Sequence, residues 1–248
     1  MSIDLSINAV YAPLRWALPD AVSAFQQLLQ ALSQTPFCED TWWVETPRGE
    51  GDDARLDALG QVSDLVAWFE EREAMIFDGE DRVGPRTVYA SGGAETARRY
   101  KLQLSWDAQF GQSGLTFDIF APHPQRGLTA ALMRDVCAAI IDWQRPMHIN
   151  GMPTRYRAEY HPLDVARLGV GWLGWVPFEV ARGNLPEAEI INAMSWGTFV
   201  ASQADYWAAS GPQKNADAIA RAQALDLRLN QLGVLPTSVE LERGDWGR

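Results

Sequence analysis

Lysine is nearly absent from this chain of 248 residues: Lys101 and Lys214 are the only two. Arginine carries the rest of the positive charge and is dispersed, so the phosphate-neutralising surface that nucleic-acid binding rests on is missing. Histidine is scarce as well, with only His123, His148 and His161. Two of these, His123 and His161, directly precede a proline and read as ordinary loop residues. Cys38 and Cys137 are the only cysteines; two thiols make no disulfide framework, though one bridge between them stays open. No apolar run approaches the length of a membrane span. The N-terminal MSIDLSINAV carries Asp4, has no basic segment and lacks the long apolar core of a signal peptide. These absences lead to the expectation of a soluble, reduced, cytoplasmic protein that engages neither nucleic acid nor membrane.

What the chain does have is a lopsided charge. Its formal net charge is −11, and all of it falls between Glu39 and Asp81. Fourteen Asp and Glu there face three Arg (Arg48, Arg55 and Arg72), while outside the stretch eighteen acids and eighteen bases cancel. A near-neutral body with one strongly acidic sector attracts a basic partner and repels polyanions. The chain is also 47% hydrophobic, enough to bury a sizeable core. Its 11 Trp can each bury a large apolar area, provided the indole N–H finds an acceptor.

Hydrophobic periodicity sets the expected elements. Ile3 to Tyr11 alternates as a strand. Pro19 opens a helix whose buried stripe is Val22, Phe25, Leu28, Leu29 and Leu32. Trp42 and Trp43 mark a short strand from Thr41 to Glu45. Thr46 to Asp57 reads as a loop, since Pro47, Gly49, Gly51 and its acids leave little to pack. A second helix runs from Gln61 to Ile76, with Val62, Leu65, Val66, Phe69 and Ile76 on one face and Asp64 and Glu71 opposite. Glu73 falls near the apolar face, so it is expected near the helix end or paired with a base. Strands follow at Thr87 to Ala90, Tyr100 to Trp106 and Leu115 to Phe120, the last two forming a hairpin or meander. Leu128 to Trp143 is a third helix, and Asn150 to Leu163 a polar loop. Ala188 to Met194 and Gly197 to Ser202 are strands. A last helix runs through Ile219, Ala222, Leu225, Leu229 and Leu232, with Gly233 placed to cap it. The predicted architecture is a single α+β domain spanning 1–248: a mostly antiparallel sheet with three to four helices packed mainly on one face.

The chemical motifs are few. Gly169, Gly171 and Gly174 satisfy G-x-G-x-x-G, but Trp172, Trp175 and Pro177 follow where a dinucleotide fold needs a helix to open. The tract reads instead as a strand or bend packed on aromatic rings. No P-loop, nucleophile elbow, H-E-x-x-H or C-x-x-C pattern occurs. Cys137 sits inside a helix beside apolar neighbours and reads as a core thiol. Cys38 lies next to Glu39 and Asp40, which push a thiol pKa up and away from reactivity. His161 and Asp164 could share a site, but nothing supplies nucleophile, base and oxyanion donor together. Gly49 to Ala54 lacks the alternation of a calcium loop. Neither an enzyme activity, nor a metal, nor a cofactor is expected.

The C-terminal half carries a resemblance. GVGWLGWVPFEV, then NLPEAEIINAMSWGTFVASQADYW and NADAIARAQALDLRLNQLGVLP, is similar to the immunity protein 52 family. The likeness is strongest over Gly169 to Pro236, where the matching features look like scaffold. It implies an antitoxin of a bacterial polymorphic or type VI secretion toxin system, one that binds a toxin of the restriction-endonuclease-like nuclease class. A nuclease must hold a polyanion in a basic groove, so the acidic sector 39–81 is the expected contact surface for a basic nuclease domain. The residues expected there are Trp42, Trp43, Glu45, Glu50, Asp52, Asp53, Asp57, Asp64, Glu71, Asp78, Glu80 and Asp81, with Trp68 beside them as a further aromatic anchor. Two other readings stay open: an adaptor or chaperone for a basic effector, and a carboxylate-based metal-dependent hydrolase using Glu39 to Asp81 with His123 or His161.

Overall fold

The structure, a computed structural model, describes residues 4–38, 41–46, 55–77, 84–94, 97–106, 112–120, 127–211 and 214–247. In chain order its elements are β1 (Leu5–Tyr11), α1 (Leu18–Ser33), β2 (Trp42–Glu45), β3 (Arg55–Asp57), α2 (Val62–Phe77), β4 (Arg86–Ala94), β5 (Ala97–Trp106) and β6 (Ser113–Ile119). Then follow α3 (Ala130–Trp143), β7 (His148–Pro153), α4 (Thr154–Glu159), β8 (Leu173–Val176), β9 (Ile190–Met194), β10 (Gly197–Ala201), α5 (Ala216–Gln231) and α6 (Ser238–Glu242). The strands form one ten-stranded sheet in the order β3-β2-β4-β5-β6-β1-β7-β8-β10-β9. Every strand pair in it is antiparallel. The fold is α+β, as the periodicity implies.

Period-2 alternation decides which side of each strand is dry. In β1, Leu5, Ile7, Ala9 and Tyr11 are buried while the residues between them are half-exposed. β6 alternates identically, and its register Ile7↔Phe117 and Ala9↔Leu115 lines up the two apolar rows. Tyr100, Leu102, Leu104 and Trp106 of β5 continue the row. Helices α1 and α3 pack against one another over this core. The Trp143 indole of α3 donates to Ala24 O of α1 at 2.8 Å, so the ring buries its area without orphaning its N–H. Trp106 does the same with Trp16 O at 3.1 Å.

Cover switches sides at the far end. Val176 and Val200 alternate with Trp175 and Phe199, so they point to the other face, where Leu225 and Leu229 of α5 meet them in a second apolar cluster. Helices α1 and α3 thus cover one face and α5 part of the other, while at the opposite end Phe69 of α2 meets Tyr89, which points away from Val88 and Ala90. Asn215 caps α5 through its side chain, accepting from Ala218 N at 3.0 Å. Gly233, at φ 70, ends the helix as expected: its N–H reaches Asn230 O at 3.0 Å, and Val234 N–H reaches Leu229 O at 3.2 Å.

Three expectations need correction. The loop read from Thr46 to Asp57 ends in a three-residue edge strand, β3, paired to β2 through Val44↔Leu56. The polar loop from Asn150 conceals the central strand β7 and the short helix α4. β7 is buried at all six positions, so it shows no alternation, and its His148, Asn150 and Pro153 disguise it. Helix α6, whose Thr237–Glu240 capping box is complete, also went unread.

β10 runs so close to β8 that a Cβ on Gly197 would sit 2.1 Å from Val176 O and 2.8 Å from the Trp175 ring. Backbone cannot yield as a flexible side chain can. Gly197→Ala should therefore cost about 1–3 kcal/mol or more, read as a lower urea midpoint at unchanged m-value.

Candidate functional site

The acidic stretch enters the structure as β2, β3 and α2, which gathers its described charge at the β3–β2 end of the sheet. Of the expected contact residues, Glu50, Asp52, Asp53, Asp78, Glu80 and Asp81 lie outside the described residues, as does His123. Glu45, Asp57 and Asp64 are exposed, and Glu71 is half-buried. Asp64, Glu71 and Met75 follow at i, i+7 and i+11, which places them in one stripe along α2.

Trp42 and Trp43 are not on that surface. They are 2% and 3% exposed, which corrects the expectation that they anchor a partner directly. Consecutive Trp42, Trp43 and Val44 point to alternate sides of β2 and are all buried, so both its faces are covered. Trp42 packs on Tyr100 with ring centroids 5.0 Å apart, and its Nε1 donates to Ser33 Oγ at 3.0 Å. Trp43 lies beneath the Arg55 guanidinium, 4.4 Å from the ring centroid. Trp68 is also buried. The exposed apolar groups here are Met75 and Ile76, at 52% and 55%. Helical phase puts Ile76 on the buried face, but the buried residues of α2 stop at Phe69, and its last turn runs on past the core.

The described bases of the sector, Arg55 and Arg72, are engaged too. Arg72 covers the Tyr89 ring at 4.9 Å, and Glu73 pairs with Arg86 at 2.9 Å, as its position near the apolar face requires. Two arginines of the sector, Arg55 and Arg72, thus stand over the rings of Trp43 and Tyr89.

A second polar centre lies under the glycine tract. Asp226 of α5 is fully buried, and its Oδ1 accepts from Val170 N at 2.7 Å and Gly171 N at 3.1 Å. Its Oδ2 accepts from Tyr156 Oη at 3.0 Å. The carboxylate comes so close that a Cβ on Gly169 would lie 2.5 Å from it, and Gly171 turns the chain at φ 69. Consecutive N–H groups, which a dinucleotide motif would turn on a phosphate, are here taken by the protein's own carboxylate. β8 follows this turn, not a helix, so the tract is a strand entry as the sequence indicates.

Two histidines clamp the same turn. His161 Nε2 accepts from Gly169 N at 3.2 Å, which leaves the ring proton on Nδ1 and makes the 4.0 Å approach of Nε2 to Asp226 no ion pair. Asp164 is not bonded to His161; it accepts from Ala166 N at 2.9 Å and acts on the ring only through its field. Fully buried His148 bonds Gly169 O at 3.3 Å. Burial pushes Asp226 up to about 6, against the pull of its three donors, and pushes His148 down to about 4. Burial likewise raises both free thiols, Cys38 and Cys137, to about 12, so neither is a ready nucleophile. Among the described residues no group of three His, Cys, Asp or Glu is placed to hold a metal ion, and no helix is long and apolar enough to cross a membrane.

Trp196 escaped the sequence reading. It is 53% exposed and sits at φ 60 in the two-residue turn between β9 and β10, a conformation usually left to Gly or Asn. Its signal was available, a bulky residue in Ser195-Trp196-Gly197 where turn chemistry prefers a small one.

No family model matches the chain, and no curated protein matches it. Among solved structures it is similar to a Pseudomonas aeruginosa T6SS protein, PA0821, at 13% identity and a TM-score of 0.48, over 90% of this chain and 72% of that one. A likeness that distant carries no argument about function.

The Asp226 centre has a pH signature. Between 3.8 and about 6 the native chain holds a proton on Asp226 that the unfolded chain releases, so this group's contribution to stability declines as pH rises through that window. His148 acts in the opposite sense, costing stability as pH falls from 6.5 to about 4. Asp226→Asn keeps all three hydrogen bonds, since the amide oxygen can accept both N–H groups and the nitrogen can donate to Tyr156. It removes only the first slope. Urea titrations across this range should show the variant losing stability on acidification more steeply than the parent; equal slopes would show that Asp226 does not titrate there. Asp226→Ala instead orphans two buried N–H groups, at about 1–3 kcal/mol each.

Proposed function

We propose that this is an immunity protein that binds and neutralises a cognate secreted toxin, a nuclease with a basic nucleic-acid groove, in a stoichiometric complex. The contact surface is the acidic end of the sheet formed by β2, β3 and α2. The observation that carries this reading is segregation: the sector holding the whole net charge is adjacent in sequence, and its described acids stay together at one end of the fold. The resemblance read from Gly169 to Pro236 suggests the toxin class, but no family model matches the chain, so the charge segregation alone carries the proposal.

The chemistry suits the task. A groove built for phosphates is lined by Arg and Lys, and carboxylates at fixed spacing can occupy or fringe it. Complementary fields raise the association rate, which matters when a toxin must be caught before it acts. Charge alone makes a poor hot spot, so the surface also needs exposed apolar contact. Met75 and Ile76 supply that, while Trp42 and Trp43 stiffen the surface from beneath.

Co-expression with the toxin encoded beside it tests the reading: growth should be restored and a complex recovered by size exclusion. A complex without protection would instead indicate an adaptor for a basic effector. Combining Asp57→Lys, Asp64→Lys and Glu71→Lys should slow association about tenfold at low salt and flatten its salt dependence. Unchanged association would move the interface elsewhere.

A further inference from the structure

A small cavity of about 100 Å³ opens beside the Gly169 turn. Its polar lining is Asn150, Arg157, His161 and Arg167, with Met152 and Leu168 as apolar walls. Every one of those polar side chains offers a donor. Asn150 is 2% exposed; its Oδ1 accepts from Asn8 Nδ2 at 3.3 Å, and its own Nδ2 has no partner among the described residues. His161 accepts at Nε2 from Gly169 N, so Nδ1 carries the proton and can donate. Arg167 is fixed at one nitrogen by Leu235 O at 2.8 Å. Arg157, exposed on α4, makes no hydrogen bond or ion pair among the described residues, and the residue it acts on is His161.

The cavity walls therefore supply two guanidinium charges and two neutral N–H donors. No carboxylate lines the space; the acids that influence His161, Asp226 and Asp164, are both outside the lining. Donors line the space with no side-chain carboxylate among them, and water offers them lone pairs but no compensating charge. A group with several lone pairs and a negative charge meets them fully, and the planar guanidinium fork suits such oxygens. The volume is that of roughly three waters, enough for one carboxylate or one tetrahedral oxyanion and too little for a nucleotide.

We propose that this cavity is a binding site for a single oxyanionic group, a phosphate or carboxylate, held by Arg157, Arg167, His161 and Asn150. The site is at the β7–α4 junction, separate from the acidic end of the sheet, and does not depend on the immunity reading.

The test is an NMR titration of the full chain, following the Asn150 side-chain amide and the Arg157 Nε–H. Inorganic phosphate and acetate are added separately, with sodium chloride as the ionic-strength control. Saturable shifts at both probes with one of the two salts are expected, and the salt that binds more tightly identifies the source as phosphate or carboxylate. Arg157→Gln should weaken that binding about tenfold, the effect of losing one charge-assisted hydrogen bond. Arg167→Gln should weaken it too. Arg155→Gln, on the same helix but outside the cavity and paired with Glu159 at 3.0 Å, should leave it unchanged. The proposal is overturned if neither salt gives a saturable shift, or if binding is undiminished in Arg157→Gln and Arg167→Gln.

Discussion

One buried carboxylate ties the C-terminal half of this fold together. Asp226 leaves α5 to grip the backbone of the Gly169–Gly171 turn and the hydroxyl of Tyr156 on α4, so a helix, the entry to β8 and the helix after β7 meet at a single residue. A carboxylate taken wholly out of water is costly unless its lone pairs are filled. Here three donors fill them, and the demand for those donors dictates the rest: glycine at 169 to let the carboxylate in, a left-handed turn at 171, and histidines holding Gly169 at its N–H and its O. With α5 anchored this way, Leu225 and Leu229 can cover Val176 and Val200 on the face that α1 and α3 leave open.

The opposite end of the sheet solves a different problem. An edge strand as short as β3 offers little backbone to another chain, and charged side chains along it discourage unwanted strand addition. Glu45, Asp57, Asp64 and Glu71 give this end an excess of negative charge, and the sheet here carries aromatic rings on both faces, Trp42 and Tyr100 on one, Trp43 and Tyr89 on the other. Arg55 and Arg72 stand over ring faces, those of Trp43 and Tyr89.

Legibility in the sequence followed periodicity. α1, α2, α3 and α5, and β1, β5 and β6, bury one side and expose the other, so each prints its period into the chain. β7 is enclosed on both faces and carries His148, Asn150 and Gly151 for reasons that exist only in three dimensions: contact with Gly169, with Asn8, and with Leu173. α4 and α6 are too short to complete a pattern, although the Thr237–Glu240 box was readable as a cap. The acidic end was legible as charge and misread as aromatic anchors, because composition reports that tryptophan is present and not that both faces of its strand are covered.

The amino-acid order alone determined the α+β class, the approximate extent of the amphipathic elements and the confinement of net charge to one stretch, since each is a property of neighbours along the chain. Tertiary structure decided what lies between distant residues: that Trp42 and Trp43 face inward, that Ile76 outruns the core, and that a glycine-rich turn grips Asp226 from 55 residues away. Burial is set by which elements pack together, and a pairing across that separation leaves no periodic trace in either segment.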